Sequence, residues 1–209
     1  AMMPCGGALV QLIDTPPIAE GHVEPYLINY VRSADLVLLC IDGSSDDAPD
    51  ETLAVLEQFE KRKTLLAETT GFDEEDFSRL RVRTRLVLTR AGSEDSGMRL
   101  DLMRESLPRQ LPLISAELTD EESCEALRQA IFEALNVIRV FTKAPGKPAV
   151  FEDPFTIPRG GTVDDLAERV HRDLAEKLKF ARVWGEGVHD GQSVVNTCLL
   201  YTSDAADDP

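Results

Sequence analysis

The sequence is poor in cysteine, in basic charge and in long apolar runs, and each shortage excludes something. Four cysteines in 209 residues, Cys5, Cys40, Cys124 and Cys198, are widely scattered. None of their spacings matches a zinc site or a dense disulfide framework, so a reducing cytoplasm is the expected compartment. No stretch approaches the ~18 apolar residues of a membrane span, and the N-terminus lacks the basic-then-apolar order of a signal peptide. With 22 basic against 38 acidic residues the formal charge is −16. Broad electrostatic attachment to DNA, RNA or an anionic membrane is therefore not expected, and any RNA contact has to be local. The three histidines, His22, His171 and His189, share no ligand spacing and suggest no metal site. A phosphate-cradling Gly-x-x-x-x-Gly-Lys-Ser/Thr is also missing.

What is present is an alternation of strands and helices. Ala8 to Ile13 and Leu36 to Ile41 are short apolar runs, each closed by an aspartate, Asp14 and Asp42. Arg85 to Thr89 and Leu111 to Ser115 repeat the pattern. All four read as buried parallel strands of a doubly wound α/β sheet. Helices are expected at Glu24 to Arg32, Asp50 to about Glu68, Met98 to Leu107 and Glu122 to Leu135. Thr70 to Leu80, with four acids, reads as an exposed insertion or a helix extension.

After Leu135 the rhythm changes. Val137 to Thr142 reads as a strand, followed by a Pro/Gly turn, a strand at Phe155 to Pro158, a helix from Thr162 to about Leu178 and a strand at Ala181 to Trp184. This is the order of a small β-grasp, ubiquitin-like module. Thr162 is the expected N-cap, with Asp164 and Asp165 in the first turn. The helix mixes Arg169, Arg172, Lys177 and Lys179 with five acids, as an ordinary solvated helix does. Trp184, the sole tryptophan, is expected to pack in the β-grasp core.

Asp14-Thr15-Pro16-Pro17 leaves the first apolar run where a nucleotide-binding sheet places residues facing its ligand. Such an aspartate can hold Mg²⁺ through a water. About seventy-five residues on, Thr89-Arg90-Ala91-Gly92 ends another strand, and Ser115-Ala116-Glu117 ends a third. In order and spacing this segment resembles the Obg-like branch of GTPases, particularly the developmentally regulated GTP-binding proteins. The resemblance implies GTP or GDP as ligand with Mg²⁺. Asp14 would support the metal, Thr15 to Ile18 would begin a switch segment, Thr89 to Gly92 would be the base-reading loop, and Ser115 to Glu117 the second base contact. The stretches IRVFTKAPGKP, DPFTIPRGGTVDDLAERVHRDL and KFARVWGEGVHDGQ resemble a TGS domain, which follows the GTPase domain in that group.

This sequence departs from the pattern in three ways. The chain carries no phosphate loop. Pro17 stands where a glycine offers its N–H to the γ-phosphate, and proline has none to offer; Ile18 follows where a Ras-like enzyme has a water-positioning glutamine. Gly92 replaces the aspartate that accepts from the guanine N1 and N2 donors, with Asp95 close behind as a possible substitute. The expectation is an N-terminally truncated, partial G domain over 1–135 and a TGS domain over 136–197 without its last strand. The tail at 198–209 resembles an adapter-derived sequence and is set aside. GTP hydrolysis belongs to the intact protein, with a translation-associated partner, ribosome or RNA, engaged through the TGS domain. The competing expectation is a non-hydrolysing regulatory module acting through that domain.

Overall fold

The computed structural model describes residues 1–18, 23–143, 146–148, 151–185, 189 and 191–194. Two compact units result: Ile13–Leu135, and Ala1–Leu12 together with the residues from Asn136 onward.

The chain opens with an antiparallel hairpin, β1 (Met2–Cys5) paired with β2 (Ala8–Gln11). Gly6 and Gly7 form its two-residue turn at φ 53° and 81°. Positive φ at both positions matches the right-handed twist of the flanking strands and costs glycine little. The run Ala8 to Ile13 is thus half of a hairpin and not a buried parallel strand. Its pattern is alternating, with Ala8 buried and Leu9 largely exposed.

The larger unit then runs α1 (Pro25–Ser33), β3 (Val37–Asp42), α2 (Ala48–Lys61), β4 (Thr64–Ala67), β5 (Gly71–Phe72), β6 (Leu80–Thr89), α3 (Ser96–Ser106), β7 (Leu113–Ala116) and α4 (Glu121–Leu135). Proline in the first turn of α1 and of α2 fits, because the N–H it lacks there would have no intrahelical partner. The ten-residue β6 is central. Its first half pairs with β4 in parallel and with β5 antiparallel; its second half pairs in parallel with β3 and β7. Phe59, Leu66, Leu86, Met103 and Val23 lie fully buried around it. Helix α1 is tied to this core from the α2–β4 turn. Arg32 donates to the Thr64 hydroxyl at 2.8 Å and to the Arg62 carbonyl at 2.7 Å, and Arg62 in turn donates to the Val23 carbonyl.

Two expectations change here. The helix read to Glu68 ends at Lys61, because Lys63 turns the chain at φ 57° into β4. Thr70 to Leu80 is neither an insertion nor a helix extension throughout, since it supplies β5 and the start of β6.

The second unit continues with β8 (Val137–Val140), β9 (Phe155–Pro158), α5 (Val163–Val170), α6 (Arg172–Lys177), β10 (Ala181–Val183) and β11 (Gln192–Val194). Strands β8 and β9 pair antiparallel, as do β10 and β11. Thr162 does cap α5, in a reciprocal box: the Asp165 N–H donates to its hydroxyl at 3.2 Å, and the Thr162 N–H donates to the Asp165 carboxylate at 2.6 Å. The helix is not continuous to Leu178. His171 is extended (φ −170°, ψ 133°) and its Nδ1 accepts from the Asp173 N–H, starting α6 anew. Ile138, Ile157, Val163 and Val194 form the core. Trp184 lies outside it, 46% exposed, with the Lys143 ammonium 4.9 Å from its ring centre. Residues 198–209 lie outside the described residues.

Leu86 has no exposed surface in the middle of β6. Leu86→Ala is expected to cost about 2–5 kcal/mol, from lost burial plus the cavity left behind. Urea denaturation followed by circular dichroism checks this.

Candidate functional site

The site is built by register. In the parallel pairings Asp42 of β3 stands opposite Thr89 of β6, and Thr89 stands opposite Ala116 of β7. Three carboxyl ends therefore finish in one row, the place where open α/β sheets take their ligands. The row is tightly closed on the β3 side. The Gly43 N–H donates to the Thr89 carbonyl at 2.9 Å, and the Thr89 hydroxyl donates to the Ile41 carbonyl at 2.9 Å. A Cβ at Gly43 would lie 2.8 Å from the Thr89 oxygen and 3.0 Å from that of Arg90, closer than side-chain carbons approach backbone.

Arg90 then enters the left-handed region at φ 50°, and its guanidinium turns back to Asp42 and to the Ser44 hydroxyl at 3.1 Å. The other Asp42 oxygen accepts from the Ser44 N–H at 2.9 Å and from its hydroxyl at 2.7 Å. These Ser44 hydrogen bonds, with lesser help from Arg90 and Arg99, hold the Asp42 carboxyl below its usual pKa. The first turn of α3 pins both loops. Arg99 donates to Asp46 at 2.7 Å, to the Gly43 carbonyl at 3.0 Å and to the Glu94 carbonyl at 2.6 Å, while the buried Ser96 donates to the Ala91 carbonyl at 2.7 Å. Asp46 itself stays largely exposed to solvent.

Beyond β7, the Glu117 N–H donates to the Ser123 hydroxyl at 2.8 Å, and one carboxylate oxygen accepts from Thr119 at 2.9 Å. The other oxygen lies 3.6 Å from where a Cβ on Gly92 would be. Thr89 is therefore brought beside Ala116 and Gly92 beside Glu117, whereas Arg90 turns to Asp42 and Ser115 sits exposed. Asp14, Thr15, Pro16 and Pro17 are exposed on an irregular segment after β2, and Ile18 packs on the larger unit's core. Asp14 makes no hydrogen bond or ion pair among the described residues. Its charge is felt on β3, where it adds to the larger effect of desolvation in raising the Cys40 thiol pKa. Sequence reasoning passed over Ser44 and Arg99, whose polar types next to Gly43 and in a first helical turn are common in any loop.

The parallel sheet and the second unit together define a class, a mixed α/β domain joined to a small β-grasp module. A family model described as the TGS domain matches residues 138–197. An uncharacterized GTP-binding protein of Methanocaldococcus jannaschii is 26% identical over 90% of this chain and 62% of its own length. Developmentally-regulated G-protein 1 of Arabidopsis thaliana is 25% identical over 84% of this chain and 58% of its own. GTP-binding protein 1 of Schizosaccharomyces pombe is 38% identical over 33% of this chain and 19% of its own. A crystal structure of a GTP-binding protein from Pyrococcus horikoshii aligns over 81% of this chain and 78% of its own, with a TM-score of 0.47 and 12% identity. The chain carries a TGS domain and is homologous to the developmentally regulated, Obg-like GTP-binding proteins. It spans less than two thirds of the length of those curated relatives.

The lowered Asp42 pKa sets a sign for pH dependence. A native pKa below the unfolded value of about 3.9 stabilises the fold above that pH, and the contribution is lost as pH falls through the native value. Asp42→Asn is expected to destabilise slightly at pH 6, with the difference from wild type shrinking as pH falls below the ordinary carboxylate range. Denaturation midpoints across that range check it.

Proposed function

We propose that this chain binds guanine nucleotide by its base, in the row formed by Thr89 to Gly92 and Ser115 to Glu117. The observation that supports this reading most is the packing of Gly92 against Glu117 at the carboxyl ends of β6 and β7. The described residues fit a purine edge, since a carboxylate and an open glycine meet there. They do not assemble a metal site: no group of three His, Cys, Asp or Glu side chains gathers among them. Mg²⁺ would be held by nucleotide phosphates, with the exposed Asp14 as an outer support, and would neutralise phosphate charge when bound.

In the intact protein the same site belongs to a cytoplasmic GTPase of the Obg-like, TGS-containing class, acting in translation on a ribosomal or RNA partner. Among the described residues no helix is long and apolar enough to cross a membrane. The chain itself contributes base contacts and positions the start of the switch segment. It offers no Gly-x-x-x-x-Gly-Lys-Ser/Thr to hold the phosphates. A second reading, a regulatory module that does not hydrolyse GTP, is favoured by Pro17, which has no N–H for a γ-phosphate.

Fluorescent GDP titrated into the chain is expected to bind weakly and to be displaced by GTP but not by ATP. Equal displacement by ATP contradicts guanine selectivity. Unchanged affinity on adding Mg²⁺ removes the metal from the account, and GTP turnover by a version carrying a phosphate loop excludes the second reading.

A further inference from the structure

We infer that Glu117 is the carboxylate that reads the purine, standing in for the aspartate that Gly92 replaces. The inference rests on the nucleotide reading above and deepens it. Guanine presents two donors side by side, N1–H and the N2 amino group, and a carboxylate is the side chain that accepts both at once. Gly92 has no side chain to do so. Among the described residues outside its own chain neighbours, the Glu117 Oε2 atom alone approaches within 4 Å of the point where a Gly92 side chain would begin.

Glu117 is also held as a reader needs to be held. It is half-buried, its N–H is fixed on Ser123, and its Oε1 accepts from Thr119. No described residue donates to Oε2, and Oε1 retains a second lone pair, so the acceptors that guanine requires remain open. Arg90, which follows β6, is paired with Asp42. Asp95 does not serve: it is exposed, lies at φ 60° before α3, and has no atom within 4 Å of the point where a Gly92 side chain would begin. The glutamate comes from the next strand, so base recognition is shared between two loops where one loop carries the pattern elsewhere in the family.

Three nucleotides separate the possibilities: guanosine, inosine and xanthosine diphosphate. Inosine lacks the N2 donor, and xanthine carries an acceptor in its place. The wild-type chain is expected to prefer GDP over IDP and XDP by about tenfold or more, the size of one lost charge-assisted hydrogen bond. Glu117→Gln is expected to bring GDP and IDP within about twofold and to improve XDP binding by about tenfold, because an amide donates where the carboxylate accepts. Adding Gly92→Asp to the Glu117→Gln chain is expected to restore the preference for GDP. Circular dichroism of each variant confirms that the fold is retained.

If Glu117→Gln keeps the wild-type preference, the inference is overturned while the nucleotide reading stands. Failure of Gly92→Asp to restore selectivity in a folded chain also overturns it. If the wild-type chain binds none of the three, both readings fall together.

Discussion

Everything at the candidate site depends on one constraint, the register that sets Asp42, Thr89 and Ala116 side by side at the end of the parallel sheet. A shift of one residue in β6 would turn every side chain of that strand to the opposite face. Leu86 and Leu88 would leave the core and the Thr89 hydroxyl would lose the Ile41 carbonyl. The Gly43 contact acts as a lock on this register, because the backbone of β3 and of the Arg90 turn approach closely enough to exclude a side chain. From that lock the two loops emerge at fixed positions, and Gly92 meets Glu117.

Among the described residues, arginine supplies many of the long-range side-chain ties in the larger unit, which clarifies what the acidic balance means. Arg32 and Arg62 fix α1, Arg90 and Arg99 fix the loops after β3 and β6, and Arg83 donates to the carbonyls of Ala134 and Leu135 at the end of α4. The last of these satisfies helix-terminal acceptors where the dipole also favours a cation. Cations used in this way are not displayed as a basic surface. The Asp42–Arg90 pair is half-exposed, so its role is to set loop geometry more than to add stability.

How much of this could be read from sequence differed from segment to segment. The run Leu36 to Ile41, closed by Asp42, and the end of β6 were legible because buried parallel strands are apolar on both faces. The first half of β6 was not. Arg81, Arg83 and Arg85 interrupt it, yet Val82, Thr84 and Leu86 alternate inward, while Arg83 and Arg85 donate to backbone carbonyls. The opening run misled for the opposite reason: ALVQLI is apolar enough for a buried strand, and only the Gly6-Gly7 turn marks a hairpin. In the second unit Thr162 and Asp165 announced their helix, whereas no turn residue foretold the break at His171. At the site, the loops were legible from strand ends and spacing, but the contact between Gly92 and Glu117 joins residues from different strands, and only the fold makes it.

The central claim is that a purine sits at the carboxyl ends of β6 and β7. Mapping backbone amide resonances during a GDP titration tests it most directly. The account expects the largest shifts at Thr89 to Gly92 and Ala116 to Leu118, with the β8–β9 pair unaffected. Shifts confined to the TGS unit, or spread evenly over the chain, would contradict it.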